Sequence, residues 1–141
     1  MDLFQLNKAV QRLDIMKAVN QSFKSDKVQE EVIKVNQSQL FDKGELATGK
    51  KLSKYSEPYK KLRRKNGLRV DIKQHYFSGN MFNDMYAKAS GYGLEIGSTA
   101  SYTKYLEGGG DNFGVQKSNI ERVKVAMLPT IQINFKKQLF K

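Results

Sequence analysis

SGNMFNDMYAKASGYGLEIGSTASYTKYLEGGG, residues Ser78 to Gly110, is the stretch whose reading decides the fold. Ser78 can cap a short helix running to Asn83 or Asp84, with Met81, Phe82 and Met85 on its apolar side. Gly79 permits close approach of a neighbouring element. Met85 to Ala89 and Leu94 to Gly97 read as extended segments, and Ser90-Gly91-Tyr92-Gly93 between them supplies the glycines of a hairpin turn. Tyr102 to Glu107 fits one or two helical turns, stopped by Gly108-Gly109-Gly110. A phosphate cradle needs a buried strand before such a loop and a helix after it, so residues 108–117 read as a flexible loop.

Outward from this hairpin, helices dominate. Residues 2–18 place Leu3, Leu6, Val10, Leu13 and Met16 at helical spacing, with Lys8, Gln11, Arg12 and Lys17 between them. This N-terminal helix, within residues 1–24, is expected to pack on the core, or alternatively to dock on a neighbouring subunit. Asp26 and Gln29 form a capping-box pattern that opens a second helix with Val28, Val32, Val35 and Leu40 inward, ended by Gly44. Ser56-Glu57-Pro58 starts a third helix, with Tyr55, Tyr59 and Leu62 inward and Asn66-Gly67 closing it. Val70 and Ile72 alternate with Asp71 and Lys73 as a short strand would.

Near the C-terminus two readings compete. Ser118 with Glu121 is a helix-opening pattern, whereas Val123, Val125 and Met127 alternate like a strand, and a third strand near 122–128 is preferred. Pro129 is expected to start a last helix in which Ile133, Leu139 and Phe140 pack and Lys136, Lys137 and Lys141 suit the C-terminus. The expected fold is therefore α+β. It has a small antiparallel sheet packed with several helices, two of them N-terminal, in a single domain over residues 1–141.

A chain of 141 residues can bury a core without metal or disulfide staples. The absence of Cys removes disulfides and thiolate metal ligands. The longest apolar run, Val125 to Leu128, is far below the ~20 residues that span a bilayer, and Met1-Asp2 is not followed by a basic leader region. A soluble protein with no membrane partner is expected. The net charge is +11. Lys43 to Lys73 holds eight Lys and three Arg against Glu45, Glu57 and Asp71, a net of +8. Such a concentration predicts attraction to phosphates or to an acidic protein surface. Lys50, Lys51, Lys54, Lys60, Lys61, Arg63 and Arg64 are the candidate contacts.

Gly44-Glu-Leu-Ala-Thr-Gly49-Lys50-Lys51 matches most of G-x-x-x-x-G-K-[ST], but Lys51 stands where the magnesium ligand belongs, and no buried strand leads in. A surface turn whose glycines take positive φ is preferred. His75 has no second His or Cys to suggest a metal or a triad. No catalytic constellation, cofactor motif or metal-ligand set emerges, and no enzymatic role is expected.

The order of elements resembles the virion-morphogenesis and tail-completion proteins of tailed bacteriophages. In that family a Thr-Gly-x-Leu-x-x-Ser-like element precedes a β-hairpin that leads to a Gly, a Tyr-Ala pair and a terminal Gly. Here Ser78-Gly79-Asn80-Met81 takes the place of the first element, Gly97 ends the hairpin, and Tyr102 and Tyr105-Leu106-Glu107-Gly108 stand last. Upstream, Phe41, Gly44, Gly49, Tyr55, Tyr59 and the basic helix follow the family's order, and the closing segment contains a Pro. The similarity spans roughly residues 26–135. Ser78 replaces the usual Thr, Thr103 replaces the Ala after Tyr102, and the family's upstream Trp is missing. The resemblance implies a structural virion protein, assembled in the host cytoplasm, without catalysis or cofactor. It would form a homo-oligomeric ring at the head-tail junction, on the order of six or twelve copies under closed symmetry. Its partners would be the portal or other neck and tail proteins, with genome DNA in the lumen. The alternative from charge alone is a basic module that contacts nucleic-acid phosphates.

Overall fold

The computed structural model describes residues 1–91 and 93–140. Tyr92, in the expected hairpin turn, and Lys141, expected at a helix C-terminus, lie outside the described residues. The order is α1 (Leu3–Gln11), α2 (Ile15–Ser22), α3 (Asp26–Gln37), α4 (Glu57–Lys65), α5 (Asn80–Asn83), β1 (Met85–Ser90), β2 (Gly93–Ser98) and α6 (Ile120–Leu139). A single wide helical turn, Ser38–Asp42, extends α3, and short 3-10 turns cover Thr103–Tyr105, Gly109–Asn112 and Lys117–Asn119. The architecture is α+β.

Helix α3 is the spine because its apolar residues repeat at helical spacing and meet structure on two sides. Val28 and Val32 pack with Ala87 of β1 and Ala126 of α6. Further along, Leu40 and Phe41 join Met81, Met85 and Ala100 in a second cluster, edged by Tyr76 and Phe82. The hairpin pairs Ala87 with Ile96 and Lys88 with Glu95. Successive strand residues point to opposite faces, so Ala87 and Ile96 meet α3 while Tyr86 and Glu95 face outward, the Tyr86 hydroxyl donating to Glu95 Oε1 at 3.0 Å. Gly97 lets the Tyr86 ring lie close over the strand, since a Cβ would stand 2.7 Å from its hydroxyl.

Several local expectations are corrected. The single N-terminal helix is two, broken at Arg12–Asp14, where Asp14 accepts from the Lys17 amide as a new N-cap. Ser25, rather than Asp26, stands at the α3 N-cap, and Gln29 reaches back to the Phe23 carbonyl at 2.8 Å. Val70 and Ile72 form no strand, and the sheet has two strands among the described residues. In α4 it is Arg63, not Leu62, that is buried.

The largest correction concerns residues 118–139. Neither a third strand nor a helix starting at Pro129 forms. One helix runs from Ile120 to Leu139 with Pro129 inside it. Val123, Ala126, Met127, Thr130, Ile131, Asn134, Phe135, Gln138 and Leu139 are its buried or half-buried positions, a helical repeat. The alternation of Val123, Val125 and Met127 is three residues of coincidence, since Val125 points to solvent and the small Ala126 is the residue that packs.

The glycine loop after residue 108 is not free either. Asn36 and Gln39 of the spine grip it: Asn36 Nδ2 donates to the Asn112 carbonyl, Gln39 Nε2 to the Gly114 carbonyl, and the Gly114 and Gln116 amides donate back to the same two side chains. All four bonds are 2.9–3.0 Å. Buried amide side chains satisfied in this way fix a loop in one conformation.

Candidate functional site

Four segments converge on an open cleft of about 620 Å³: the extended run 54–56, the start of α4, residues 73–78 and the turn 102–107. Its walls are aromatic, with Tyr55, Tyr59, Phe77, Tyr102 and Tyr105 all contributing. Tyr55 is locked by accepting from the Gln74 amide at 3.0 Å. Tyr59 stacks on Phe77, ring centroids 6.4 Å apart and planes 23° apart, and meets Tyr55 edge-on at 5.2 Å.

Behind this wall lies Arg63, 1% exposed. Its Nε donates to the Arg69 carbonyl at 2.7 Å, one terminal nitrogen to the Tyr76 carbonyl at 2.6 Å, and the other to Gln74 Oε1 at 3.3 Å. The guanidinium carbon sits 4.5 Å from the Tyr55 ring centroid and 5.8 Å from that of Tyr59. Cation–π contact and carbonyl dipoles offset the lost hydration, since no carboxylate pairs with it among the described residues.

The lower rim carries Glu107, which accepts from Lys73 Nζ at 2.7 Å and from the Ser53 hydroxyl at 2.7 Å. The Lys73 and Ser53 hydrogen bonds hold its carboxyl down at about 2, well below the usual carboxylate range. His75 has φ +52°, rare for a residue with a side chain, and its Nε2 lies 3.1 Å from the Glu107 carbonyl oxygen. Burial lowers its pKa, so the ring is neutral at pH 7 with the Nε2 proton directed at that carbonyl. His75 hydrogen-bonds no hydroxyl among the described residues.

The candidate cations divide. Lys50, Lys51, Lys54, Lys61 and Arg64 are exposed and have no acidic partner among the described residues. Lys60 is half-buried and bonded to Glu57 at 3.0 Å. Arg63 is withdrawn into the interior and cannot reach a surface phosphate. Gly44 to Lys51 forms a tight surface loop closed by pairing of Glu45 with Lys51. The Leu46, Ala47 and Gly49 amides donate to the carbonyls of Lys50, Asp111 and Leu46, so they do not cradle an anion. Gly44 and Gly49 have φ of +65° and +88°, and a Cβ at Gly44 would strike Ile72 and the Lys73 backbone.

The residues that carry the family resemblance converge only in part. Gly79, φ +84°, stands against the Tyr76 ring at the N-cap of α5, next to the exposed Ser78. The Met81 amide donates to the Tyr102 hydroxyl at 2.8 Å, and Ser98 Oγ donates to the Met81 carbonyl at 3.1 Å. Gly97 faces Tyr86, Gly108 faces Leu46, and Tyr105 is 79% exposed on the cleft rim. Through the Met81, Ser98 and Tyr102 hydrogen bonds this set ties hairpin to turn.

A second surface feature was not foreseen as such. Gln5, Lys8, Ala9 and Arg12 of α1 line the groove toward Gln138 and Leu139 of α6. The opposite side of α1, with Leu3 85% exposed and Leu6 and Val10 also exposed, faces solvent. On α6, Val125, Leu128, Pro129 and Ile133 form a second outward stripe at helical spacing. The signal was present in α6 as apolar residues on both sides of one helix, a pattern that belongs to helices buried all round. No helix among the described residues is long and apolar enough to cross a membrane. Comparison of the chain with protein-family models, curated proteins and solved structures finds no match.

Proposed function

We propose that this chain is a structural subunit of a tailed-bacteriophage virion that self-associates into a ring at the head-tail junction and performs no chemistry. The supporting observation is the pair of outward apolar stripes on α1 and α6. Apolar stripes exposed in this way on a monomer mark sites of association. The terminal helices would carry subunit contacts, with the interlocked core of α3, the hairpin and the 102–116 turns as the rigid body they join. Portal or other neck and tail proteins are the expected neighbours, and the virion the expected location.

Sedimentation velocity with negative-stain imaging of the purified chain tests this reading. Closed rings or a discrete oligomer are expected, dispersed by the combined change Leu6→Lys and Val125→Lys without loss of helical circular dichroism. A chain that stays monomeric at every concentration and within assembled particles would end the proposal.

A second reading rests on a different observation: five exposed cations that have no acidic partner among the described residues lie along the 50–64 surface. These could hold phosphate backbones, in which case affinity for duplex DNA must fall steeply with salt. If the ring forms and this surface lines its lumen, both readings hold together.

A further inference from the structure

The aromatic cleft between α4 and the 102–107 turn has no role in ring formation through the terminal helices, and its chemistry is specific. We infer that it is a docking site for an acidic segment of a partner protein, which seats one large apolar side chain between the stacked Tyr59–Phe77 pair and Tyr105. Two observations choose this occupant.

The first is charge. Exposed Lys54 lines the cleft and the Arg63 guanidinium backs it, with no carboxylate partner for either among the described residues. The one carboxylate on the rim, Glu107, is already matched by Lys73 at 2.7 Å. The cleft therefore presents net positive potential around an apolar slot, complementary to acids that flank an apolar anchor.

The second is ring geometry. Single-stranded nucleic acid would need open ring faces on which bases stack. Here Tyr59 and Phe77 stack on each other, and Arg63 lies over the faces of Tyr55 and Tyr59. Lys104 covers a face of Tyr105, its Nζ 5.0 Å from the ring centroid. With one face of each of these rings covered in this way, no continuous platform is left for successive bases, and the rings form walls for a single aliphatic or aromatic side chain. The space, about 620 Å³, accommodates such a side chain with its adjoining backbone.

The test is a random-peptide display selection on the full-length protein. Enriched peptides should carry one large apolar residue flanked by Asp or Glu. Binding of a synthetic peptide of the enriched sequence, measured by fluorescence anisotropy, should weaken at least tenfold in Lys54→Glu and in Phe77→Ser. Unchanged circular dichroism and urea midpoints would show that both variants fold. Leu6→Lys, in the outward stripe of α1, should leave this binding intact, which separates the cleft from ring assembly. The inference is overturned by selection that enriches no common pattern, by enriched peptides lacking acids or an apolar anchor, or by binding that survives both cleft substitutions. Displacement of the peptide by an equal concentration of oligothymidylate would also overturn it, because it would show that the cleft prefers nucleic acid.

Discussion

Arg63 holds a permanent charge in the interior on three uncharged acceptors and two aromatic rings. Hydrogen bonds from charged groups contribute about 1.5–3 kcal/mol each, and leaving such a network broken in a buried site is costly. Lys cannot supply the planar fork, so the charge-conserving change is not conservative here. Arg63→Lys and Arg63→Met should each lower unfolding stability by about 2–4 kcal/mol in urea titrations. A loss below about 0.5 kcal/mol, the range of surface substitutions, would show the network to be incidental. Glu107 makes a different prediction. Its folded pKa, about 2, lies under its ordinary value of 4.5, so its contribution is fully present above pH 4.5 and disappears as the pH falls toward 2. Part of that contribution is screened, because the side chain is 35% exposed. Urea midpoints should decline through this window, and Glu107→Gln should flatten the decline. An unchanged pH profile in the variant would rule out Glu107 as the acid-sensitive group.

Helix α6 contains its own flaw. Pro129 has no N–H for the Val125 carbonyl and crowds the preceding turn, costs that together reach ~3 kcal/mol in a helix interior. Because this side of the helix faces solvent, water meets part of the need, and Pro129→Ala should stabilise by about 1–2 kcal/mol. Thermal unfolding followed by circular dichroism would show it as a higher Tm; a lower Tm would mean that a bend at Pro129 is needed for packing on α2 and α3. The same helix marks how far the fold was legible. The spine α3 was readable because Val28, Val32 and Val35 keep one helical period over about two turns. The hairpin was readable because glycines separate two short runs. Residues 122–128 were not, because apolar residues occupy both faces of α6 and leave no dominant period, so a local alternation could masquerade as a strand. Tyr55 and Tyr59 were read only as inward residues beside the basic helix, and Arg63 was misassigned to the surface. Charge normally points outward, and only the tertiary carbonyls of Arg69 and Tyr76 make its burial favourable.

The molecule as a whole combines a net charge of +11 with apolar surface left open on its terminal helices. In the proposed self-assembly these two properties would oppose each other. Like charges on adjoining subunits repel across the interface, and salt at 0.1 M screens that repulsion beyond about 10 Å, whereas the apolar contact survives screening. Contacts with phosphates respond oppositely, since counterion release makes log affinity fall with log salt by ~0.9 per phosphate neutralised. Raising salt should therefore promote oligomers in sedimentation velocity and weaken duplex DNA binding in anisotropy measurements on the same preparation. Replacing Lys50, Lys51 and Arg64 by Gln should make the DNA salt slope shallower by up to about 3 and favour assembly at low salt. Arg63→Lys should leave that slope unchanged, because residue 63 faces inward. Oligomers that dissociate as salt rises would show that charge pairing, not the stripes on α1 and α6, holds the subunits together.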